Sequence, residues 1–289
     1  MTISILSLHT YPVKSCCGIT HTQAGVTAGG LAYDRQWVVA GDDGAFITQR
    51  VHPRMTLVQP AIDETALFLN APEMPTLRVS LRKGEPAAAG KSIHIGSSAT
   101  LGLDEGDMAA HWFSDYLGCA CRLYRVHPQA ARLTAPQAVA AWCEGHPEAE
   151  NFPLNHPLGF ADAFPFTIVN QASLDDLNTR LVATGLPQVS LARFRPNIVI
   201  QGLPPYEEDR LCSLHVGELT FAAISHCLRC TMINVDPATG EPGVEPMNTL
   251  RGYRARGESV AFGLNAVAGG VGRNTVLSVG DRVLPVLDL

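Results

Sequence analysis

The sequence predicts a mostly-β protein with a few helices (α+β), built as two barrels in series. Short apolar segments separated by turn residues fill the first ~100 residues, a spacing typical of barrels and sandwiches. Segments of the same kind return after position 196. Helical periodicity is clear in two segments only, and no internal repeat is evident, which excludes a solenoid.

The composition is that of a globular protein with a sizeable core. The chain has 289 residues, of which 46% are hydrophobic and 17% charged, enough for one large domain or two moderate ones. A net charge of −6 and the lack of any Lys/Arg-rich run argue against nucleic-acid binding. No apolar run approaches the ~20 residues of a membrane span. The N-terminal residues lack the basic start of a signal peptide.

Eight cysteines are present, and their setting favours free thiols. Without a secretory signal, we expect a reducing, cytoplasmic location. Cys227 and Cys230 form a single C-x-x-C, with no second pair, so no structural zinc site is expected.

The first half of the chain is predicted to be strands followed by one helix. Residues 1–8 form a strand that Pro12 ends, and a Gly41–Gly44 turn joins two further strands. The predicted strands that follow the first are Trp37–Ala40, Ala45–Thr48, Leu57–Gln59, Ala66–Leu69 and Leu77–Leu81. A helix is predicted from Asp107 to Leu117, because acidic residues precede it and Gly118 ends it.

The second half combines one helix with more strands. Residues 129–155 are polar with weak periodicity and are predicted to be a loop or linker. A helix is predicted over Leu174–Ala183, with Ser173 as its N-cap. The predicted strands are Leu123–Val126, Asn197–Ile200, Leu219–Ile224, Val260–Phe262, Val276–Val279 and Arg282–Val286.

The most informative motif is Cys227-Leu228-Arg229-Cys230, which follows a predicted strand. A thiolate is a soft donor suited to a transition metal. An adjacent arginine lowers a thiol pKa and can also bind an anion. The motif alone leaves open whether Cys230 is a metal ligand, a nucleophile, a redox thiol or a buried small apolar residue.

Three further polar positions are candidates for ligand binding. Lys14 and Ser15 together suit a phosphate, although most lysines are simply solvated. Arg195 and Asn197 flank a proline just before an apolar strand, where a ligand group or an ion pair at the sheet end fits equally well. Asp162 lies in an apolar loop, and its residue type favours an Asx turn.

Taken in order, these motifs resemble one family. The chain resembles the MOSC-domain proteins with an N-terminal β-barrel, such as the mitochondrial amidoxime-reducing component and its bacterial relatives. The resemblance covers essentially the whole chain and rests on five ordered segments: Tyr11-Pro12-Val13-Lys14-Ser15, Tyr33-Asp34-Arg35-Gln36-Trp37, Thr48-Gln49-Arg50, Phe194-Arg195-Pro196-Asn197, and Cys227 to Gly240.

The resemblance implies a molybdenum cofactor (Mo-molybdopterin) in a cleft between two domains, the N-terminal barrel over residues 1–122 and the MOSC domain over 123–289. It implies that Cys230 holds the metal and is the catalytic residue. The residues it places around the pterin and its phosphate are Lys14, Ser15, Arg35, Asp162, Arg195, Asn197, Leu228 and Arg229. By the same mapping, Arg122, residues 129–155 and residues 269–273 are candidate pocket walls. Cys227 is expected to be a packed structural thiol.

Two departures from the family pattern stand out. Leu228 occupies a position where relatives carry a small hydroxyl residue, so a contact to phosphate through the side chain would be lost, whereas a contact through the backbone N–H would be unchanged. The chain also ends without the cysteine-rich ferredoxin-like domain of some bacterial relatives. We therefore expect no iron–sulfur cluster in this chain and a separate electron-donor protein, a flavoprotein reductase or a ferredoxin or cytochrome.

The implied activity is reduction of N-hydroxylated compounds, namely amidoximes, hydroxylamines and N-hydroxylated bases, by removal of oxygen at molybdenum. The implied class is an oxidoreductase with a detoxifying role. Three alternatives remain at this point: a sulfurase-like carrier with a persulfide on Cys230, a non-catalytic molybdopterin carrier, and a dithiol redox protein. The β-rich context argues against the last, because thioredoxin-like sites sit in βαβ units.

Overall fold

A computed structural model describes residues 2–82, 90–146, 149 and 151–288, and confirms the mostly-β class with a few helices. Four α-helices lie within these residues: α1 (Asp107–Leu117), α2 (Pro136–Gly145), α3 (Gln171–Ala183) and α4 (Met247–Arg254). No helix in the described ranges is both long and apolar enough to cross a membrane.

The strands are short in the first half and longer in the second. The first eleven are β1 (Ser4–Thr10), β2 (Ile19–His21), β3 (Gln23–Thr27), β4 (Gly30–Leu31), β5 (Trp37–Ala40), β6 (Gln59–Ile62), β7 (Ala66–Asn70), β8 (Leu77–Ser80), β9 (Lys91–Ile95), β10 (Ser98–Asp104) and β11 (Arg122–Val126). The remainder are β12 (Phe166–Asn170), β13 (Ile198–Gln201), β14 (Leu211–Val216), β15 (Leu219–Arg229), β16 (Ala255–Arg256), β17 (Ser259–Gly269), β18 (Val276–Ser278) and β19 (Leu284–Leu287).

The largest sheet joins the two ends of the chain. Its order is β19-β14-β15-β17-β12-β13-β1-β2, with β16 added beside β17. The first two strands of the chain thus belong to a sheet made otherwise of residues after position 165. Ile5 and Leu8 of β1 bury their side chains in the core of that sheet. The sequence pattern had predicted two barrels in series. The structure differs in that β1 and β2, from the N-terminal half, belong to the large sheet of the C-terminal half.

The N-terminal half forms smaller sheets around a second core. One sheet has the order β5-β11-β10-β9, and another has the order β6-β7-β8. Their apolar faces enclose Trp37, Leu67, Phe113 and Leu123. The boundary proposed between residues 122 and 123 falls at the start of β11, which pairs with β5 and β10. It stays a prediction.

Several local predictions need correction. Residues 129–155 contain α2 within their described part, and residues 147, 148 and 150 lie outside the described residues. Helix α4 was missed, since its eight residues are mostly polar and only Met247 and Leu250 are buried. Residues 45–48 form isolated bridges at Ala45 and Phe46 rather than a strand. Strand β15 runs on to Arg229, so the C-x-x-C motif begins on the strand itself.

Helix α3 begins earlier than predicted, and its cap is different. Asn170 is the N-cap, accepting from the Ala172 amide, while Ser173 lies inside the helix and is fully buried. The Ser173 hydroxyl donates to the buried carboxylate of Glu208 at 2.6 Å and accepts from the Tyr206 amide at 2.8 Å. Burial raises the pKa of Glu208, so this carboxyl group depends on its hydrogen bonds.

We expect Ser173→Ala to lower the free energy of unfolding by about 2–3 kcal/mol, because it leaves the buried Glu208 carboxyl group and the partly buried Tyr206 amide each short of a partner. The measurement is urea denaturation followed by circular dichroism. Thr179→Ala on the same helix removes an exposed hydroxyl that bonds only the Asp175 carbonyl, and should shift the value by under about 0.5 kcal/mol. Equal losses in the two variants would contradict a structural role for the Ser173 hydroxyl.

Candidate functional site

One cavity gathers every binding residue named from the sequence. It has a volume of about 370 Å³, and its walls come from both halves of the chain. The predicted residues that line it are Lys14, Ser15, Arg35, Asp162, Arg195, Asn197, Leu228, Arg229 and Cys230. The fold thus brings together groups that are more than 200 positions apart in the chain. Their individual roles stay predictions.

Lys14 reaches the cavity because the chain crosses from one sheet to another directly after β1. The Lys14 amide donates to the Trp37 carbonyl at 2.8 Å, which fixes this crossing, and Ser15 takes a left-handed φ of 69°. The Lys14 ammonium is buried and donates to the Phe160 carbonyl at 2.9 Å and to Asp162 Oδ1 at 2.6 Å. Burial lowers the pKa of Lys14, and the Asp162 carboxylate opposes that shift.

Asp162 sits on a loop held by backbone contacts. The Arg132 guanidinium donates to the carbonyls of Gly159, Ala161 and Asp162 and so anchors this loop. The sequence favoured an Asx turn at Asp162, whereas the structure pairs its carboxylate with Lys14. Burial raises the pKa of Asp162, but the charge and hydrogen bond of Lys14 together with the charges of Arg35 and Arg195 outweigh it, and the pKa lies below its usual value.

Two arginines face the cavity around one tyrosine. Arg35 and Arg195 both adopt a left-handed backbone, with φ of 46° and 49°, and their guanidinium carbons lie 4.4 and 4.2 Å from the centre of the Tyr11 ring. Asp34 holds Arg35 with two bonds of 2.7 and 2.8 Å. Arg195 donates instead to the Cys16 carbonyl at 2.6 Å. Burial and the neighbouring Arg35 charge lower the pKa of Arg195, as expected for a cation that lacks an anion.

Asn197 ties three strands together beside the cavity. Its amide nitrogen donates to the His9 carbonyl at 3.2 Å, and its side-chain oxygen accepts from the Thr167 amide at 3.1 Å. The side chain is 2% exposed. These contacts are compatible with both roles predicted for Asn197, a residue that faces a ligand and a residue that links strands at the end of a sheet.

The two thiols of the C-x-x-C motif differ in their surroundings. Cys230 is exposed and follows the end of β15, just before a 3₁₀ turn over Thr231–Asn234. Cys227 is half-buried and lines the cavity, and burial raises its pKa; its predicted role as a packed structural thiol stays a prediction. Arg229 is fixed between them by bonds of 2.8 Å to the carbonyls of Phe194 and Phe262.

The turn after Cys230 is held from two sides. Gln49, from the N-terminal half, donates to the Met232 carbonyl at 3.4 Å, and its own carbonyl oxygen is buried without a partner among the described residues. Arg193 pairs with Asp236 at 2.9 Å and thereby braces the segment that follows. These contacts restrict where the Cys230 thiol can lie relative to the arginines.

Sequence reasoning missed several cavity residues and included some that lie elsewhere. Arg193, Thr167 and Asn265 line the cavity but belong to no motif, although the position of Arg193 two residues before Arg195 was a usable signal. Arg122 pairs with Asp104 and Asp107, away from this cavity. Residues 269 and 270 line two other cavities.

We expect Asp162→Asn to lower the free energy of unfolding at neutral pH by about 1 kcal/mol. The buried Lys14 loses its counter-charge, but Asp162 is 74% exposed and solvent already weakens the pair. Because the pKa of Asp162 is depressed in the folded protein, the wild-type advantage is present above pH 3.8 and is lost as pH falls below it.

Urea unfolding from pH 7 down to about pH 3.5 measures this difference. Asp115→Asn, at an exposed position of α1, serves as the matched control for loss of a carboxylate. An Asp162→Asn difference that grew as the pH fell would show that the sign of the shift is wrong.

Comparisons with known proteins identify two family domains in this chain. A family model described as the MOSC N-terminal beta barrel domain matches residues 2–120, and one for the MOSC domain matches residues 155–284. The chain is 32% identical to mitochondrial amidoxime-reducing component 1 of Mus musculus, with 87% of this chain and 71% of that protein covered. The corresponding protein of Homo sapiens is 33% identical, with 87% and 72% covered.

A molybdenum cofactor sulfurase of Oryza sativa subsp. japonica is 30% identical, and the match covers 91% of this chain and 32% of that protein. The two models together account for most of the chain, and the mammalian relatives match at over 30% identity along most of its length. The chain therefore belongs to the family of MOSC-domain proteins that carry an N-terminal MOSC β-barrel domain.

Proposed function

We propose that this protein is a molybdenum-cofactor-dependent oxidoreductase that reduces N-hydroxylated compounds. The observation that carries the proposal is an exposed Cys230 thiol beside a cavity whose guanidinium charges exceed its carboxylates. A single soft thiolate close to a basic pocket suits a metal carried by an anionic organic ligand. The family membership and the amidoxime-reducing relatives support the same assignment.

The charges in the cavity fit a phosphate-bearing cofactor. Within the described residues, Lys14, Arg35 and Arg193 have carboxylate partners, whereas Arg195 and Arg229 donate only to backbone carbonyls. Two guanidinium groups in a partly buried site therefore lack a counter-charge, and an anion would supply it. No group of three His, Cys, Asp or Glu side chains in the described part of the chain is arranged to hold a metal, so the protein would contribute Cys230 alone.

Each residue has a defined part in this proposal. Cys230 would hold the molybdenum, Lys14, Arg35 and Arg195 would bind the phosphate, and Ser15 and Asn197 would face the pterin. When bound, the cofactor supplies two-electron removal of oxygen from the N–OH group. Arg229 positions Cys230, because its bonds to two carbonyls lock the strand end. Asp162 keeps the Lys14 ammonium charged in its buried setting.

The substrate class is that of amidoximes, hydroxylamines and N-hydroxylated bases, in which an N–O bond is cleaved and the reduced nitrogen compound and water leave. Two electrons are needed for each turnover, and we propose that a separate electron-donor protein delivers them. A cytoplasmic location and a detoxifying role complete the proposal.

A second candidate function is transfer of sulfur to a molybdenum cofactor. The similarity to the molybdenum cofactor sulfurase of rice favours it, and an exposed thiol such as Cys230 is accessible enough to carry a persulfide. Cyanide-labile sulfur on Cys230 together with an absence of bound molybdenum would favour this candidate. Molybdenum bound without reduction of any N-hydroxylated compound would favour a non-catalytic cofactor carrier.

We expect Cys230→Ala to abolish reduction of benzamidoxime and to reduce the retained molybdenum severalfold, because the variant lacks the thiolate that holds the metal. The measurement is elemental analysis of protein made in a host that synthesises molybdopterin, beside turnover with a chemical reductant. Cys143→Ala, at a half-buried thiol on α2, is the matched control. Unchanged turnover in Cys230→Ala would rule out Cys230 as the metal ligand.

We expect Arg195→Gln to reduce the molybdenum retained after extended dialysis about tenfold, because a charge-assisted hydrogen bond to an anion contributes about 1.5–3 kcal/mol. Arg210→Gln removes an arginine whose side chain is 57% exposed and is the control. Equal retention in both variants would show that Arg195 does not contact the cofactor.

A further inference from the structure

Leu228 is an exposed apolar side chain beside the reactive thiol. It lies in β15 opposite Ala261, between Cys227 and Arg229 and two residues before Cys230. It is 55% exposed, while its two neighbours in the motif are half-buried. Its side chain therefore lies on the solvent side of the cavity wall.

Other apolar residues that are not fully buried line the same cavity, and we call Ala163, Phe164, Leu228 and Met232 the apolar rim. Ala163 is exposed, and Phe164 and Met232 are half-buried. The cationic side chains of Lys14 and Arg35 are only 7% and 13% exposed, so they lie deeper. The cavity thus has a buried basic part and a part nearer solvent, which includes the apolar rim and also Asp162 and Ser225.

The apolar rim is poorly suited to the cofactor itself. A leucine side chain has no hydrogen-bonding group and cannot bind phosphate. An apolar surface at the cavity entrance gains free energy instead by covering an apolar part of an incoming molecule. A polar group placed against the Leu228 side chain would lose water without gaining a hydrogen bond from that side chain.

We propose that Leu228 is a specificity-determining residue that favours N-hydroxylated substrates with an apolar or aromatic skeleton over those bearing a sugar or other polar group. This inference rests on the proposed reductase function and narrows its substrate class. The N–O group of such a substrate points toward Cys230, and its apolar body lies against the rim. N-hydroxylated nucleosides are the disfavoured class, because their ribose hydroxyls would face leucine and phenylalanine.

The test compares wild type with Leu228→Ser and with Leu228→Met as the control of similar volume and polarity. Isothermal titration of molybdenum-loaded protein, without an electron donor, gives dissociation constants for benzamidoxime and for N-hydroxycytidine. We expect wild type to bind benzamidoxime more tightly, and Leu228→Ser to reduce the preference between the two compounds about 5- to 20-fold. Leu228→Met should keep the preference within about twofold.

Steady-state ratios of kcat/KM for the same two compounds provide the second readout and should change in parallel. An unchanged binding preference in Leu228→Ser, or a wild type that binds N-hydroxycytidine at least as tightly, would overturn the role of Leu228 even if turnover persists. Failure of the reductase function is separate: neither compound would be reduced by fully loaded wild type, whatever the binding preference.

Discussion

The site depends on one backbone crossing. After β1 leaves the large sheet, residues 11–14 pair with residues 34–37 of the N-terminal half. The Tyr11 carbonyl accepts from the Arg35 amide, the Pro12 carbonyl accepts from the Trp37 amide, and the Lys14 amide donates to Trp37 in return. The buried Asp34 carboxylate accepts from the Tyr11 amide at 2.7 Å and also holds Arg35. These four backbone N–H donations and the Asp34–Arg35 ion pair together place Lys14, Ser15 and Arg35 on one wall of the cavity.

The large sheet builds the opposite wall of the cavity. The two walls bring the charges of Arg35 and Arg195 close together. Arg195 enters from a 3₁₀ turn before β13 and approaches the Tyr11 ring that Arg35 also contacts. Two like charges near one ring repel each other, and of the two arginines only Arg35 is paired with the Asp34 carboxylate. The fold tolerates this arrangement because the ring faces and carbonyls stabilise the cations. A bound anion would offset the remaining repulsion between the two guanidinium charges. The cavity is therefore better suited to phosphate than to a neutral ligand.

The sequence predicted which residues gather at the cavity better than it predicted what supports them. The motifs at Lys14, Arg35, Arg195 and Cys230 and their resemblance to one family named residues that line one cavity, and the roles of these residues stay predictions. The partners were not visible, since the Phe160, Phe194 and Phe262 carbonyls that position Lys14 and Arg229 can come from any residue. Strand β1 could be predicted from alternation, but its place beside β13 depends on a core assembled from distant segments. Helix α4 was not predicted, because its mostly polar sequence gives a weak signal. The packing of Met247 and Leu250 in the core stabilises it instead.

The C-x-x-C motif shows why spacing alone could not assign a function. A redox C-x-x-C site is activated by a lowered thiol pKa. Here a strand ends between the two thiols: Cys227 stays half-buried in β15 with a raised pKa, and Cys230 is exposed at the start of the next turn. Arg229, which lies between the two, bonds backbone carbonyls and so stiffens the strand end. The result is one presented thiol on a rigid support, which suits a metal ligand better than a disulfide couple and leaves Leu228 free to face the substrate.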